Sequence, residues 1–288
     1  MKATTKLKKL VNTPGVSLSV SAHDALLARL VENAGFEIIG VSGNTVAASY
    51  LGMPDMGFLN LSDMVNVCGR IASAVSIPVL VDVDSGYGNA MQVVRTVKEL
   101  ERAGVAGVII EDQIDYKKCG MIDAEHPVID IDEYASKIRA ACMARTDPDF
   151  VICARTDATR DHGIEEAIKR ARVSHDAGAD MIDIACQGTR DQVDQLKAAN
   201  LPIPLKGNMD EGKKLWENDN DVLADAGFSV LSHPGLLRYI VVGAAMRSLE
   251  HLKREGNTRD IHDQMCTVKE YFDAVDLNGY LEMEKKVL

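Results

Sequence analysis

The chain has 288 residues, 46% of them hydrophobic, and its 32 Lys and Arg residues face 43 Asp and Glu residues, a formal net charge of −11. This length suits one large core better than several small ones, and the acidic balance argues against nucleic acid or an anionic membrane surface as a general partner. No run approaches the about 18 apolar residues of a membrane span, so we expect a small molecule as the partner and no membrane association.

The first fifteen residues are basic but lack the apolar centre of a signal peptide. The six cysteines form no CxxC pair and no metal-ligand spacing, which is typical of thiols kept reduced. They are Cys68, Cys119, Cys142, Cys153, Cys186 and Cys266. We therefore expect a cytoplasmic protein without a disulfide framework.

Eight short runs rich in β-branched and apolar residues recur along the chain, each followed by a longer amphipathic stretch. The predicted strands are residues 17–21, 37–42, 77–84, 106–112, 150–156, 179–185, 203–208 and 228–233. Predicted helices between them include residues 90–103, 131–144, 163–177 and 236–254. This alternation predicts a parallel sheet with crossover helices.

The predicted strands are almost continuously apolar, which indicates a sheet buried on both faces. Eight such units favour an α/β fold of the closed (β/α)₈ barrel type, with an open doubly wound sheet as the alternative. Residues 1–288 then form a single barrel domain, in which residues 256–288 carry helical periodicity without a further strand. We expect this C-terminal helical appendage to pack on a neighbouring subunit.

Nucleotide binding in its familiar forms has no support, because no GxGxxG follows the first strand and no GxxxxGK[ST] occurs.

In a barrel the active site lies where the strands end. The second run ends in Ser42, Gly43 and Asn44, whose backbone N–H groups can start a helix and bind a carboxylate or phosphate. A simple helix cap is the alternative. Asp55 follows in a Gly- and Pro-flanked loop that can reach the same rim.

The third run ends in Asp82 and Asp84, and their spacing of two places both carboxylates on one face of a strand. The fourth run supplies Glu111 at the same rim. Carboxylates without Cys or His neighbours suit a hard cation, Mg²⁺ or alternatively Mn²⁺. Helix capping or surface pairing with lysines is the competing interpretation, but the glycines of residues 84–89 let backbone approach a ligand there.

Residues 112–129 form a connection longer than is usual after a barrel strand, and long loops at this rim are often lids. Lys117, Lys118 and Cys119 lie in its middle, and we expect this segment to be an exposed loop. A thiol beside positive charge can act as an acid, base or nucleophile over a bound substrate. The alternative is an inert loop cysteine.

The fifth run offers Arg155, whose guanidinium can bind a substrate carboxylate with two hydrogen bonds. A structural ion pair with Asp157 or Glu111 is the competing account. The seventh run ends in Lys206, Gly207 and Asn208, where the asparagine amide can contact an anion.

Together these segments resemble the isocitrate lyase and phosphoenolpyruvate mutase superfamily, in particular its short methylisocitrate lyase and dimethylmalate lyase members. The resemblance covers most of the chain. It rests on VSGNTVAASYLGMPD (41–55), LVDVDSGYGN (80–89), VKELERAGVAGVIIEDQ (97–113), KKCG (117–120), RTDPDFVICARTDA (145–158) and GNM (207–209).

The resemblance implies a (β/α)₈ barrel that exchanges its eighth helix between subunits of a homotetramer. It implies Mg²⁺ held directly or through water by Asp82, Asp84 and Glu111, with Asp55 nearby. Substrate carboxylates and the 2-oxygen would be bound by Ser42, Gly43, Asn44, Arg155 and Asn208. Lys117 and Cys119 belong to the catalytic loop, in which lyases of the superfamily carry a cysteine and phosphonate mutases an asparagine.

The sequence departs from the lyase pattern at three positions. Met121 follows Gly120 where lyases have histidine, Gly40 stands where an aromatic residue is usual, and Ala185 replaces a glutamate of strand six. Gly40 and Ala185 are small, which predicts a roomier or more apolar pocket than one that takes a plain tricarboxylate.

The leading hypothesis is therefore a Mg²⁺-dependent carbon–carbon lyase acting on a branched 2-hydroxy di- or tricarboxylate of the 2,3-dimethylmalate or 2-methylisocitrate type. The thiol of Cys119 would protonate the carbanion left by a retro-aldol split. The alternatives are an oxaloacetate-type hydrolase or decarboxylase, a phosphonate mutase, and a non-catalytic barrel that binds a metabolite.

Overall fold

The computed structural model describes residues 1–114, 117–122 and 124–288. Its eight parallel strands close into one barrel in sequence order. They are β1 (Ser17–Ser21), β2 (Ile38–Val41), β3 (Val79–Asp82), β4 (Gly107–Glu111), β5 (Val151–Thr156), β6 (Met181–Ile184), β7 (Leu205–Asn208) and β8 (Phe228–His233). The predicted barrel is thus confirmed, with each strand inside the range that its apolar run predicted.

Helices alternate with the strands around the barrel. They are α1 (Ala3–Asn12), α2 (Ala25–Asn33), α3 (Gly43–Val46), α4 (Leu61–Ala74), α5 (Ala90–Arg102), α6 (Ile131–Ala144), α7 (Thr159–Asp176), α8 (Arg190–Ala199), α9 (Asn220–Asp225), α10 (Leu236–Glu255), α11 (Val268–Ala274) and α12 (Leu277–Val287). None of the described helices has the length and apolarity that crossing a membrane requires.

The parallel register brings polar strand ends to one rim of the barrel. Glu111 of β4 pairs with Arg155 of β5, and Arg155 in turn pairs with Asp183 of β6. Asp183 pairs with Lys206 of β7. Because all strands run the same way, their carboxyl ends form the face on which barrel active sites are built.

Helix α1 closes the opposite end of the barrel, and the sequence analysis missed it. Its Leu7 and Val11 are buried against interior residues of the strands, among them Ile38, Leu80 and Val151. Spacing of four places both side chains on one face of the helix. Burying each contributes about 1.5–3 kcal/mol relative to leaving it in water.

Helix α10 contacts β1 near its start but buries little of its surface against the barrel. None of its twenty residues is buried, although it carries many apolar side chains. Beyond it come a 3₁₀ turn (Arg259–Gln264), α11 and α12, and α11 packs against α2. The predicted C-terminal helical extension is confirmed.

A fully buried tyrosine connects α6 to the ends of β4 and β5. The Tyr134 hydroxyl lies 2.9 Å from the carbonyl oxygen of Ile110 and 2.7 Å from that of Arg155, and it accepts a 2.8 Å hydrogen bond from the Arg155 N–H. The phenol O–H is thus shared between two carbonyl oxygens, and the phenol oxygen accepts from one amide. This contact fixes the backbone that carries Arg155.

Tyr134→Phe is expected to lower the free energy of unfolding by about 1–3 kcal/mol, because it leaves buried backbone groups without their partner. Urea unfolding monitored by circular dichroism measures this loss. Tyr50→Phe is the matched control, since Tyr50 is exposed and its hydroxyl accepts a 3.2 Å bond from the side chain of Asn66. Equal urea midpoints for the two variants would contradict the structural role of the Tyr134 hydroxyl.

Candidate active site

A cavity of about 90 Å³ opens at the carboxyl ends of the strands, and every strand contributes to its wall. Most of the residues predicted from the sequence line it: Ser42, Asn44, Asp55, Asp82, Lys117, Cys119, Arg155 and Asn208. Asp84 and Glu111 contact the lining cations Lys117 and Arg155. The predicted residues are therefore gathered at one place.

The turn after β2 starts a helix at the predicted position. Ser42 precedes α3, which passes into a π-helical turn at Ala47–Leu51. The Ser42 side chain makes no capping hydrogen bond and lines the cavity instead. At Gly43 a Cβ atom would lie 3.1 Å from Asp84 Oδ1, so the glycine permits close approach of this turn to the acidic cluster.

The turn after β3 ties the ends of β3 and β4 together. Asp84 has φ 51°, a left-handed conformation that few non-glycine residues adopt. Its N–H donates to Asp82 Oδ1 at 3.1 Å, and its carbonyl accepts from the Glu111 N–H at 2.9 Å. Such backbone strain is often found at functional sites.

Two buried cations hold the carboxylates of the rim. Lys117 Nζ lies 2.6 Å from Asp84 Oδ1 and 3.0 Å from Asp55 Oδ1. The Arg155 guanidinium lies 3.1 Å from Glu111 Oε2, 3.3 Å from Asp82 Oδ2 and 2.9 Å from an oxygen of Asp157.

The ion pairs of Arg155 are those that the competing structural account expected. However, the Nε–H of Arg155 has no hydrogen-bond partner among the described residues, and the side chain lines the cavity. The carboxylates therefore orient the guanidinium and leave one donor for a ligand.

Negative charge exceeds positive charge in this cluster. Among the described residues, the carboxylates of Asp55, Asp82, Asp84, Glu111 and Asp157 form ion pairs with two cations, Lys117 and Arg155. Burial raises the pKa of Asp84 to about 6 against the opposing effect of Lys117, and burial likewise raises the pKa of Glu111 well above its ordinary value. The cluster is thus short of positive charge.

A divalent cation fits this donor set. Glu111 is fully buried, and neither of its carboxylate oxygens accepts a hydrogen bond from the described residues, although Oε2 forms the ion pair with Arg155. Within its described residues no three His, Cys, Asp or Glu side chains converge on one metal position. Mg²⁺ usually keeps several waters and takes one or two protein carboxylates. Asp82, Asp84 and Glu111 are the residues that would hold it, partly through water.

Cys119 is held against the turn after β2. Its Sγ accepts a 2.9 Å contact from Asn44 Nδ2, and its N–H donates to the Asp55 carbonyl at 3.3 Å. The sequence predicted that this segment is an exposed loop. That prediction is wrong for Lys117, which is only 5% exposed, and Cys119 is half-buried. Ion pairing with Asp55 and Asp84 explains the burial. The predicted lid, residues 112–129, includes 115, 116 and 123, which lie outside the described residues.

Arg238, near the start of α10, completes the contacts of Cys119 and was missed from the sequence. Its guanidinium donates to Asn44 Oδ1 at 2.6 Å, so the asparagine amide is oriented with its N–H groups toward the sulfur. The side chain also stacks on Tyr239, 4.7 Å from the ring centre. Arg238 lies in no motif and about 120 residues after the loop it supports, and hence no local pattern indicated it.

Arg238→Met is expected to reduce kcat about tenfold and to change KM less than about twofold, since it removes one charged hydrogen bond that orients the Asn44–Cys119 contact. Steady-state kinetics separate the two constants. Arg247→Met on the exposed part of α10 is the control. A raised KM with unchanged kcat would instead make Arg238 a substrate-binding residue.

At the end of β7 the structure adds a buried pair that sequence reasoning also missed. Lys206 Nζ lies 2.8 Å from Asp183 Oδ2 and donates to Asn208 Oδ1 at 2.6 Å, and Asn208 Nδ2 donates to Asp183 Oδ2 at 2.8 Å. Burial opposes ionisation of Asp183, but Lys206 and Arg155 hold its pKa below the ordinary value. The Asn208 amide is thus partly engaged within the protein.

The three departures from the lyase pattern all line the cavity. Met121 Sδ is contacted by Arg238 and by the Tyr239 hydroxyl at 3.6 Å each. At Gly40 a Cβ atom would lie only 2.8 Å from Ser21 Oγ, so the space beside this glycine is narrow, and the expectation of a roomier or more apolar pocket is not met there. The surroundings of Gly40 are hydroxyl groups of serines.

Comparison with known proteins places the chain among enzymes of carboxylic acids. The phosphoenolpyruvate phosphomutase family model matches residues 7–253. The chain is 36% identical to 2,3-dimethylmalate lyase of Eubacterium barkeri over 99% of this chain and 98% of the relative. It is 37% identical to 2-methylisocitrate lyase of Shewanella oneidensis over 93% of this chain and 90% of the relative.

Three solved structures similar to this chain are of enzymes with different activities. A 2,3-dimethylmalate lyase matches with TM-score 0.91 and 32% identity over 100% of this chain and 96% of that one. Oxaloacetate acetylhydrolase bound to 3,3-difluorooxalacetate matches with TM-score 0.92 and 31% identity, over 99% of this chain and 97% of that one. Phosphonopyruvate hydrolase in complex with oxalate and Mg²⁺ matches with TM-score 0.87 and 29% identity, over 99% of this chain and 98% of that one.

Proposed function

The chain belongs to the phosphoenolpyruvate phosphomutase family, and on that premise we propose that it is a Mg²⁺-dependent carbon–carbon lyase. Its substrate is a branched 2-hydroxy di- or tricarboxylate of the 2,3-dimethylmalate or 2-methylisocitrate type. The products are a 2-oxo acid and a carboxylate. Full-length similarity to lyases with these two names supports the assignment.

The observation that carries the proposal is the position of Cys119 on the same cavity as the acidic cluster. A substrate bound beside Asp82, the residue that would help to hold the cation, would also lie in the space that the thiol borders. Carbon–carbon cleavage needs both elements, because charge develops on oxygen at one end of the breaking bond and on carbon at the other.

In the proposed reaction the 2-hydroxyl loses its proton, the bond between C2 and C3 breaks, and C2 becomes a carbonyl. The electron pair of the broken bond stays on C3, which takes a proton from the Cys119 thiol. Bound Mg²⁺ would supply electrostatic stabilisation of the 2-oxygen and of the adjacent carboxylate.

The protein side chains have distinct tasks in this scheme. Asp55, paired with Lys117, accepts the hydroxyl proton. The free Nε–H of Arg155 binds a carboxylate, as do Ser42 and the backbone N–H groups of Gly43 and Asn44. Asn208 contacts the 2-oxo acid portion. The thiolate left on Cys119 regains its proton from solvent or from Asp55, so that no net proton is consumed.

A panel of substituted malates and isocitrates with Mg²⁺ tests the function, with 2-oxo acid release followed by reduction with a dehydrogenase. We expect release from at least one branched 2-hydroxy acid. Failure of every member, together with decarboxylation of oxaloacetate, would overturn the lyase assignment.

Hydrolysis or decarboxylation of an oxaloacetate-type acid is the second candidate. The similarity to oxaloacetate acetylhydrolase favours it. Such a reaction would use the same metal-binding residues, but it would not require a carbon acid, so Cys119 would be dispensable.

We further propose that the protein is a cytoplasmic homotetramer in which α10 packs on a neighbouring subunit. All six cysteines are free thiols, which suits a reducing compartment. Helix α10 exposes Ile240, Val242, Met246 and Leu249, each more than half accessible. Large apolar patches on a soluble chain usually mark contact surfaces.

Light scattering is expected to give a mass near four times that of the 31.3 kDa chain. The double variant Val242→Glu, Leu249→Glu should dissociate, because it places charge in the apolar contact, whereas Arg247→Glu on the same helix should dissociate much less. A monomeric wild-type protein at micromolar concentration would contradict the assembly.

A further inference from the structure

Three serines lie together in the wall of the cavity, away from the residues of the proposed mechanism. Ser19 and Ser21 belong to β1 and Ser232 to β8, and all three are at most 4% exposed. Ser19 is the register partner of Ser232, and Ser21 is that of Gly40 on β2. We call Ser19, Ser21, Gly40 and Ser232 the serine subsite.

The hydroxyl groups of the serine subsite lie close to one another around Gly40. A Cβ atom placed on Gly40 would lie 2.8 Å from Ser21 Oγ, 3.4 Å from Ser19 Oγ and 3.5 Å from Ser232 Oγ. A side chain at position 40 would therefore collide with Ser21 Oγ. Because the residue is glycine, the three hydroxyl groups lie together along the cavity wall, where a polar group of a ligand can form hydrogen bonds with them.

Ser19 gives independent evidence that a polar group is bound here. Its hydroxyl is one of the buried side-chain groups that lack a hydrogen-bond partner among the described residues, and the residue is 1% exposed and lines the cavity. Buried hydroxyl groups are nearly always paired, so an unpaired one at a cavity wall points to a ligand or a bound water.

The charge around the serine subsite favours a neutral partner. The nearest cation on the adjacent strand β7 is Lys206, which is already neutralised by the ionised Asp183 at 2.8 Å. The serine subsite itself presents hydroxyl groups and no cation, and a hydroxyl group of a ligand can donate one hydrogen bond to them and accept others. A methyl group would leave the buried Ser19 hydroxyl without a partner.

We infer, on the basis of the proposed function, that the serine subsite binds a hydroxyl group on the branch of the substrate. The preferred substrate class is then a 2-hydroxy acid whose branch is hydroxymethyl-like, and not one whose branch is a plain methyl group. The subsite lies on β8, β1 and β2, next to the arc of β3 to β5 that carries the acidic cluster. The branch of the substrate would thus be bound beside the reacting carbons.

The test compares matched acids, malates substituted at C2 or C3 with either methyl or hydroxymethyl, in the presence of Mg²⁺. Binding is measured by calorimetry and cleavage by nuclear magnetic resonance of the products. We expect the hydroxymethyl member of a pair to bind at least about tenfold more tightly, the effect of one or two well-made hydrogen bonds.

Variants show whether the serine subsite is the cause. Ser19→Ala should lower the hydroxymethyl preference severalfold, and Gly40→Ala, which places a methyl group among the three hydroxyls, should remove it. Ser229→Ala is the matched control, because Ser229 is also a buried and unpaired serine of β8 but does not line the cavity. It should leave the preference unchanged.

Each outcome separates the inference from the proposed function. Preferential binding of hydroxymethyl acids without cleavage would support the subsite and contradict the lyase. Cleavage with equal or better use of methyl acids, or a preference unaffected by Ser19→Ala and Gly40→Ala, would overturn the subsite and keep the lyase. Failure of every hydroxymethyl acid to bind would also overturn the subsite.

Discussion

Cys119→Ser is expected to lower kcat for carbon–carbon cleavage by at least about 100-fold while substrate binding changes little. General acid catalysis by a positioned side chain contributes roughly 10²–10⁴-fold, and a serine hydroxyl is far too weak an acid to replace the thiol. The serine can still accept the hydrogen bond that Asn44 donates to the sulfur at 2.9 Å. The loop should therefore keep its position, and the loss should appear in kcat and not in KM.

Rapid-quench measurement of the 2-oxo acid gives the rate, and calorimetry with the same acid gives the affinity. Cys142→Ser is the matched control, since Cys142 is also a partly exposed free thiol but lies on α6, where it contacts the Gly178 carbonyl. Full activity of Cys119→Ser would remove the thiol from the mechanism and favour the hydrolase alternative.

Asp82→Asn is expected to abolish the response to Mg²⁺ and to reduce activity by at least about 100-fold. Asp82 ends β3 and lines the cavity, and an asparagine keeps its shape while it removes one negative charge. Mg²⁺ binds through few carboxylates, so losing one weakens its binding strongly. In addition, the variant without metal should be no less stable than the wild type, because it relieves repulsion among five carboxylates that face two cations.

Two readouts test the Asp82 prediction. Mg²⁺ should raise the Tm of the wild type, as any ligand of the folded state does, and this rise should disappear in Asp82→Asn. Chelation with EDTA should inactivate the wild type reversibly. Asp194→Asn, an exposed carboxylate of α8, serves as the control. An unchanged thermal response to Mg²⁺ in Asp82→Asn would make the acidic cluster a structural one.

The barrel and the place of the site were predictable because they depend on local pattern. Apolar runs fix the strands, and parallel strands bring their ends to one rim. For that reason Asp82, Arg155 and Asn208, which end or closely follow apolar runs, lie on one cavity as predicted. The glycine-rich turn after Asp82 has a left-handed residue at Asp84, and close approach of its backbone to a ligand stays a prediction.

The missed residues depend on contacts that no local pattern encodes. Arg238 reaches Asn44 from a helix at the other end of the chain, and Lys206 is neutralised by Asp183 only because β6 and β7 are neighbours in the barrel. Ser19 carries no motif. Its importance follows from the convergence of three hydroxyls beside Gly40, a property of the closed barrel.

The burial of the Cys119 segment was also beyond sequence reasoning. Charged residues in a long connection usually indicate exposure, and the pairing of Lys117 with Asp55 and Asp84 overrides that tendency here.

The most direct test of the lyase assignment is the product balance for a branched 2-hydroxy acid incubated with protein and Mg²⁺ in D₂O, followed by nuclear magnetic resonance. The account predicts one 2-oxo acid and one carboxylate for each substrate consumed, with one solvent deuteron on the carbon that C2 has left. Release of carbon dioxide, or hydrolysis of an oxaloacetate-type acid with no cleavage of any branched 2-hydroxy acid, would contradict it.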